Sequence, residues 1–399
     1  MSRLLAPLAV FGAVLVAMVA LNGGATSPPA LSAERAPDYA LLGNTYLGRA
    51  RATGDPRLYS RAERAFAAAL RREPASVDGL VGAGTLAGFR HDFREQLRLG
   101  LEAKRVAPDL ARPLTVVADA QVELGRYGHA ARTIQWLVDT KPSLPAYARV
   151  SYYRELHGDV GGAIRAMRFA VSAGGSPEGT AYVETLLGDL ELARGRVPAA
   201  RTAYREALRD SPSFPQALTG LARIDAAGGD LDRAAARLRR STDRLPLTSA
   251  LVLLSDIERA AGRRRAAQAD LAAARVQHRL LRANRTLADA EAVLFEANHG
   301  SPRRAVLLGR RVWRAAPSIR SADALGWALT RSGSPRAGLA WARRALRTGS
   351  RDPLFSLHAG VAARRSGVSG EAERYLTAAV RAAAALAPSA RWLLREAGS

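Results

Sequence analysis

The sequence predicts an all-α superhelical solenoid of antiparallel helix pairs, and three recurrences predict it. One position returns at Ala62, Gln96, Ala130, Ala163, Ala200, Ala234, Ala267, Ala305, Gly338 and Ala372, at spacings of 34, 34, 33, 37, 34, 33, 38, 33 and 34 residues, and it is small in every copy but one. Downstream of it stops recur, at Glu73-Pro74, Ala107-Pro108, Lys141-Pro142, Ser211-Pro212, Leu245-Pro246 and Ala316-Pro317. Turn glycines recur at Gly125, Gly158, Gly195, Gly229, Gly262, Gly300, Gly333 and Gly367. A period of this length with one helix-turn-helix per unit is a repeat array in which each unit buries its apolar face on its neighbours.

In chain order, Arg3 precedes an uncharged run over residues 4–22, broken only by Pro7 and Gly12. Residues 1–25 therefore read as a signal peptide or an N-terminal membrane anchor, and in either case the remainder of the chain should lie outside the cytoplasm, membrane-anchored or secreted. Residues 26–36 are rich in Pro, Ser and Ala and read as a linker. The array occupies 37–388, and longer spacers at 173–180 and 280–286 divide it into 37–175, 181–281 and 286–388. In the first unit 19 residues separate Gly43 from Ala62, where Gly188 and Ala200 are 12 apart, so a lengthened turn is expected around Thr53 to Leu58. Residues 389–399, with Trp392 and Leu393, read as a closing cap helix.

Each unit follows from simple chemistry, most plainly in residues 181–214. Small residues at Gly188, Ala200 and Ala207 allow helices to cross closely, and Tyr204 fills the space between crossings. Gly195 can end the first helix in the left-handed conformation, and the second cannot continue through Pro212. The Leu-Gly-like pairs (Leu42-Gly43, Ala83-Gly84, Leu187-Gly188, Leu325-Gly326), the turns Gly158-Asp159, Gly195-Arg196 and Gly229-Asp230, and the triplet Ala62, Phe66, Ala69 stand in one register. On these the chain resembles the tetratricopeptide repeat family, in about ten units.

That resemblance implies a right-handed superhelix acting as a protein-protein interaction scaffold, with first helices lining a concave groove and second helices forming the convex back. The groove would present Asn44, Asp119, Glu123, Tyr152, Glu155, Tyr182, Asp189, Asp256 and Trp327, an acidic surface suited to a neutral or basic peptide. The back would present Arg165, Arg168, Arg201, Arg205, Arg237, Arg240, Arg303, Arg304, Arg343 and Arg344, suited to an anionic membrane or envelope polymer. Two alternatives stand beside this: a polyanion binder working through that Arg-rich face, and a non-catalytic accessory subunit of a separate enzyme. Nucleic acid is the less expected polyanion. Of 59 basic residues only Lys104 and Lys141 are Lys, which with the high Ala content points to GC-rich coding as one source of the net charge of +23. The chaperone-tail clamp used by some repeats of this family is not expected, because Ala40 and Gly82 replace its Lys and Asn.

No enzyme, cofactor or metal is expected. The absence of Cys removes disulfides, thiolate metal sites and a Cys nucleophile. The six His are scattered without zinc spacing, those at turns reading as solvated, and Gly79 to Gly84 lacks the Lys-Ser/Thr of a phosphate loop.

Overall fold

A computed structural model describes residues 35–382, and among them twenty helices form ten antiparallel pairs with no strand. The pairs are α1 (Ala36–Thr53) with α2 (Arg57–Arg72), α3 (Val77–Phe89) with α4 (Phe93–Val106), α5 (Ala111–Glu123) with α6 (Tyr127–Thr140), α7 (Leu144–Leu156) with α8 (Val160–Ser172), and α9 (Pro177–Ala193) with α10 (Val197–Asp210). They continue with α11 (Pro215–Ala227) and α12 (Leu231–Arg244), α13 (Thr248–Ala260) and α14 (Arg264–Ala283), α15 (Ala290–His299) and α16 (Pro302–Ala315), α17 (Ile319–Arg331) and α18 (Pro335–Ala345), and α19 (Pro353–Arg365) and α20 (Ser369–Arg381). The segment read as signal or anchor, most of the linker and the cap helix lie outside the described residues. Within them no helix is long and apolar enough to cross a membrane.

The predicted punctuation is where chemistry puts it. Helices α2, α4, α6, α10, α12 and α16 each end two residues before a proline, leaving as C-cap the residue that the proline ring keeps out of the helical conformation. The turn glycines have positive φ, except Gly300 at −127°. Asp159 and Asp230 cap α8 and α12 by accepting from Gly162 N at 2.8 Å and Arg233 N at 3.0 Å. The recurring small position lies at the buried crossing in all ten units. Ala200 and Ala207 are both fully buried beside Tyr204, so Ala200→Leu is expected to cost about 1–3 kcal/mol by overpacking. Thermal unfolding checks this, and an unchanged midpoint would contradict the crossing.

Second helices carry one buried stripe, whereas α11, α13, α17 and α19 are buried almost all round. A helix apolar on every side needs neighbours on every side, and the superhelix supplies them by winding past one full turn and packing on itself. Gln277 Nε2 donates to Gly54 O at 2.9 Å, Leu287 N to Arg90 O at 2.8 Å and Arg94 Nη2 to Arg314 O at 2.7 Å. Farther along, Ile319 N donates to the Tyr127 hydroxyl at 2.9 Å and Thr348 Oγ1 to Leu156 O at 2.6 Å. One apolar cluster crosses this seam, joining Ile134 and Leu137 to Ile319 and Phe355.

Winding also revises three expectations. The additional residues of the first unit extend the helices: α1 runs to Thr53, the turn is short, and Gly54 packs on Leu245 and Pro246 of the next superhelical turn. The spacer over 280–286, read as a division of the array, is docked, with Leu287 held on the α3–α4 turn. His91, read as a solvated turn residue, takes the left-handed conformation at φ 59°, with its Nδ1 3.1 Å from Leu287 O and 3.7 Å from Asp289.

Candidate functional site

First helices this apolar can hold a charge only beside a partner or an enclosed polar space. Such a space lies between the two superhelical turns, a cavity of about 210 Å³. The ends of α1 and α5 bring Arg51 and Glu123 to it, and the starts of α13, α15 and α17 bring Thr248, Glu291 and Arg320. Arg320 Nη1 donates to the Tyr152 hydroxyl at 3.3 Å. Burial opposes the charge of Arg320, yet Tyr152, Glu123 and Asp289 around it raise its basicity.

The carboxyls face the opposite balance. Burial lifts Glu123 despite Arg320 and His91. Glu155 is pushed up to about 8 by burial and then by Asp352 and Asp189. Glu291 rises through burial and Asp289, and Asp352 chiefly through burial. Acid groups outnumber the two arginines, so at neutral pH Glu155 keeps its proton much of the time. A cation entering the chamber would favour the ionised forms of Glu123 and Glu291, which line it.

The predicted groove residues divide into two sets. Glu123, Tyr152 and Glu155 gather around Arg320, and Tyr182 stands in the field of Arg51. Asn44 is exposed on α1. Asp119, Asp189, Asp256 and Trp327 are buried in the packing of the array instead of lining an open groove. Asp119 holds Arg149 through two bonds of 2.7 and 2.6 Å. Asp189 accepts from the Tyr204 hydroxyl at 2.7 Å and from Arg223 at 3.4 Å. The Trp327 indole donates to Asn298 at 2.8 Å and stacks on His358 at 4.3 Å. The sequence reading missed Arg320, Asp289, Glu291 and Asp352, which belong to the second superhelical turn or the spacer before it.

On the back, Arg165, Arg168, Arg205, Arg240, Arg303, Arg304, Arg343 and Arg344 are exposed. Arg201 and Arg237 are half-buried against Asp225, at 3.5 and 2.7 Å. Several of the exposed ones are also engaged: Arg304 with Glu296 at 2.9 Å, Arg343 with Glu371 at 2.6 Å, and Arg168 with Glu191 at 3.6 Å. A repeated staple underlies this. Buried carboxylates at Glu191, Asp225 and Glu258, spaced 34 and 33 residues apart, each bind an Arg of the preceding second helix and one from their own unit. The same period that revealed the small residues contained this signal.

Residues 185–247 match the tetratricopeptide repeat family. No curated protein sequence matches the chain. Among solved structures, a human IFIT1 dimer with PPP-AAAA is 17% identical with a TM-score of 0.49, over 79% of this chain and 73% of that one. The Cut9–Hcn1 hetero-tetramer of the APC/C is 16% identical with a TM-score of 0.40, over 94% and 79%. A thermophilic tetratricopeptide-repeat protein of Thermus thermophilus is 20% identical with a TM-score of 0.39, over 43% and 92%.

Proposed function

We propose that this chain, a tetratricopeptide-repeat protein, is a non-catalytic interaction scaffold that holds an extended neutral or basic peptide segment of its partner, with a cationic side chain seated in the chamber. The observation that carries this reading is the imbalance of charge there: Glu123, Asp289 and Glu291 line a space sized for one long side chain beside Arg320 and Arg51, and Glu155 and Asp352 are buried in the field of the same Arg320. Work takes place outside the cytoplasm, a reading supported by the uncharged run over residues 4–22 behind Arg3.

Selection of peptides from a random extended library tests the scaffold reading. Enriched sequences should carry Lys or Arg, and Glu123→Gln/Glu291→Gln should weaken their binding by about tenfold, the worth of one charge-assisted hydrogen bond. Affinity should rise from pH 6 to pH 8. The sign follows from linkage: burial and then Asp289 keep Glu291 protonated up to about 8 in the free protein, a bound cation favours the ionised form, and binding therefore releases protons. Calorimetry in buffers of different ionisation heat measures that release. Enrichment of acidic peptides, or unchanged binding by the double variant, would overturn the reading.

A second reading rests on Arg165, Arg205, Arg240 and Arg303, which are exposed on the back and form no ion pair among the described residues. They would hold the scaffold against an anionic membrane or envelope polymer. Vesicle binding that ignores anionic lipid content would remove it.

A further inference from the structure

The spacer after Leu280 builds a feature that peptide binding does not use. Arg279 stands where other units have a stop, so α14 runs on to 20 residues. Its additional turns carry Arg275, Arg279 and Arg282, spaced i, i+4 and i+7 along one face. Across from that face lie α15 and α16, and between them opens a cleft of about 970 Å³. This is near the upper end of the roughly 300–1,000 Å³ typical of small-molecule sites.

Arg279, Arg282 and Arg311 border the cleft and are exposed, and their side chains form no ion pair or hydrogen bond among the described residues. Of the three lining carboxylates, Glu296 receives Arg304 at 2.9 Å and Ser301 N at 3.0 Å, Asp289 caps α15 by accepting from Ala292 N at 2.9 Å, and Glu291, shared with the chamber, keeps one buried oxygen unpaired. The cleft wall is aromatic. His278 lies 4.5 Å from the Phe295 ring and His299 lies 5.3 Å from it on the same wall.

The wall also carries unused polar atoms. Thr286 is only 8% exposed and its hydroxyl has no partner. His278 Nε2 and both ring nitrogens of His299 are likewise buried without one. Leaving such atoms unpaired costs about 1–3 kcal/mol each, and each can donate to or accept from a ligand. Burial, then Arg259, Arg275 and Arg331, push His299 down to about 3, so its ring is neutral in a positive field.

We infer that the cleft between α14 and α15–α16 binds a nucleotide, with its phosphates on Arg279, Arg282 and Arg311 and its base along the His278–Phe295–His299 wall. Free cations opposite an aromatic wall with unpaired ring nitrogens suit a ligand that is anionic at one end and planar and polar at the other. The volume of the cleft suits a small molecule better than a polymer.

Calorimetric titration of the purified protein with ATP, tripolyphosphate and adenosine tests this. ATP should bind about tenfold tighter than either fragment, since each supplies one half of the contacts, and its affinity should fall at about 0.3 M salt. Arg279→Ala/Arg282→Ala should weaken ATP binding by about tenfold or more. Arg311→Ala tests the opposite wall independently and should also weaken it. Arg165→Ala/Arg205→Ala on the back should leave it unchanged. These exposed arginines should shift stability by no more than about 0.5 kcal/mol, so the variants stay folded. Tripolyphosphate binding as tightly as ATP, indifference to the cleft arginines, or an equal loss in the back variant would each overturn the assignment. Peptide binding should persist in the cleft variants, which separates this test from that of the chamber.

Discussion

Arg149→Ala is expected to destabilise the array by about 3–5 kcal/mol, because it strands a buried carboxylate. Arg149 and Asp119 sit on α7 and α5, the first helices of consecutive units, with side chains 0% and 1% exposed. The guanidinium meets both carboxylate oxygens and also donates to Pro145 O at 2.9 Å. Burial lifts Asp119 to about 6 in spite of that pairing, so at neutral pH the ion survives only while its partner is present. Removing both charges should cost far less. Asp119→Leu/Arg149→Met exchanges the pair for apolar groups of similar size and should recover most of the loss, as buried pairs barely outweigh their desolvation. Urea denaturation of the two variants checks this. A single variant within about 1 kcal/mol of the parent would mean that water reaches the carboxylate.

The pair shows where sequence reasoning stopped. Asp119 was legible as a first-helix acid, but its role as an internal staple depends on a basic residue thirty positions away. Local repeats were readable because each unit obeys short-range rules: a proline ends a helix, a glycine turns the chain, a small residue lets two helices touch. Superhelical pitch is different. It is the accumulated result of a small rotation at every crossing, and no single residue states it. Arg320 and Tyr152, 168 residues apart, therefore meet only once the winding is known. About thirty positions likewise separate Asp119, Asp189 and Trp327, expected on an open groove, from the Arg149, Arg223 and Asn298 with which they are buried.

Gly158→Ala is expected to unseat the second superhelical turn, whereas Gly229→Ala is expected to be a local fault. Both glycines are left-handed, with φ of 76° and 90°, so each alanine bears a strain of about 1–2 kcal/mol. Their surroundings differ. A Cβ on Gly229 meets nothing within 4 Å, while one on Gly158 overlaps the carbonyl oxygen of Gly349. That atom is backbone and cannot swing aside, so the seam must part, adding about 1–3 kcal/mol of overpacking. The contact between Thr348 and Leu156 lies beside it and should be among the first to open. Small-angle scattering should show a larger radius of gyration for Gly158→Ala than for Gly229→Ala, and amide exchange should quicken near Thr348. Because the chamber is closed by residues from both superhelical turns, peptide affinity should fall with the seam. Equal scattering curves for the two variants would mean that the turns stay together without this contact, and the chamber would then be independent of the winding that forms it.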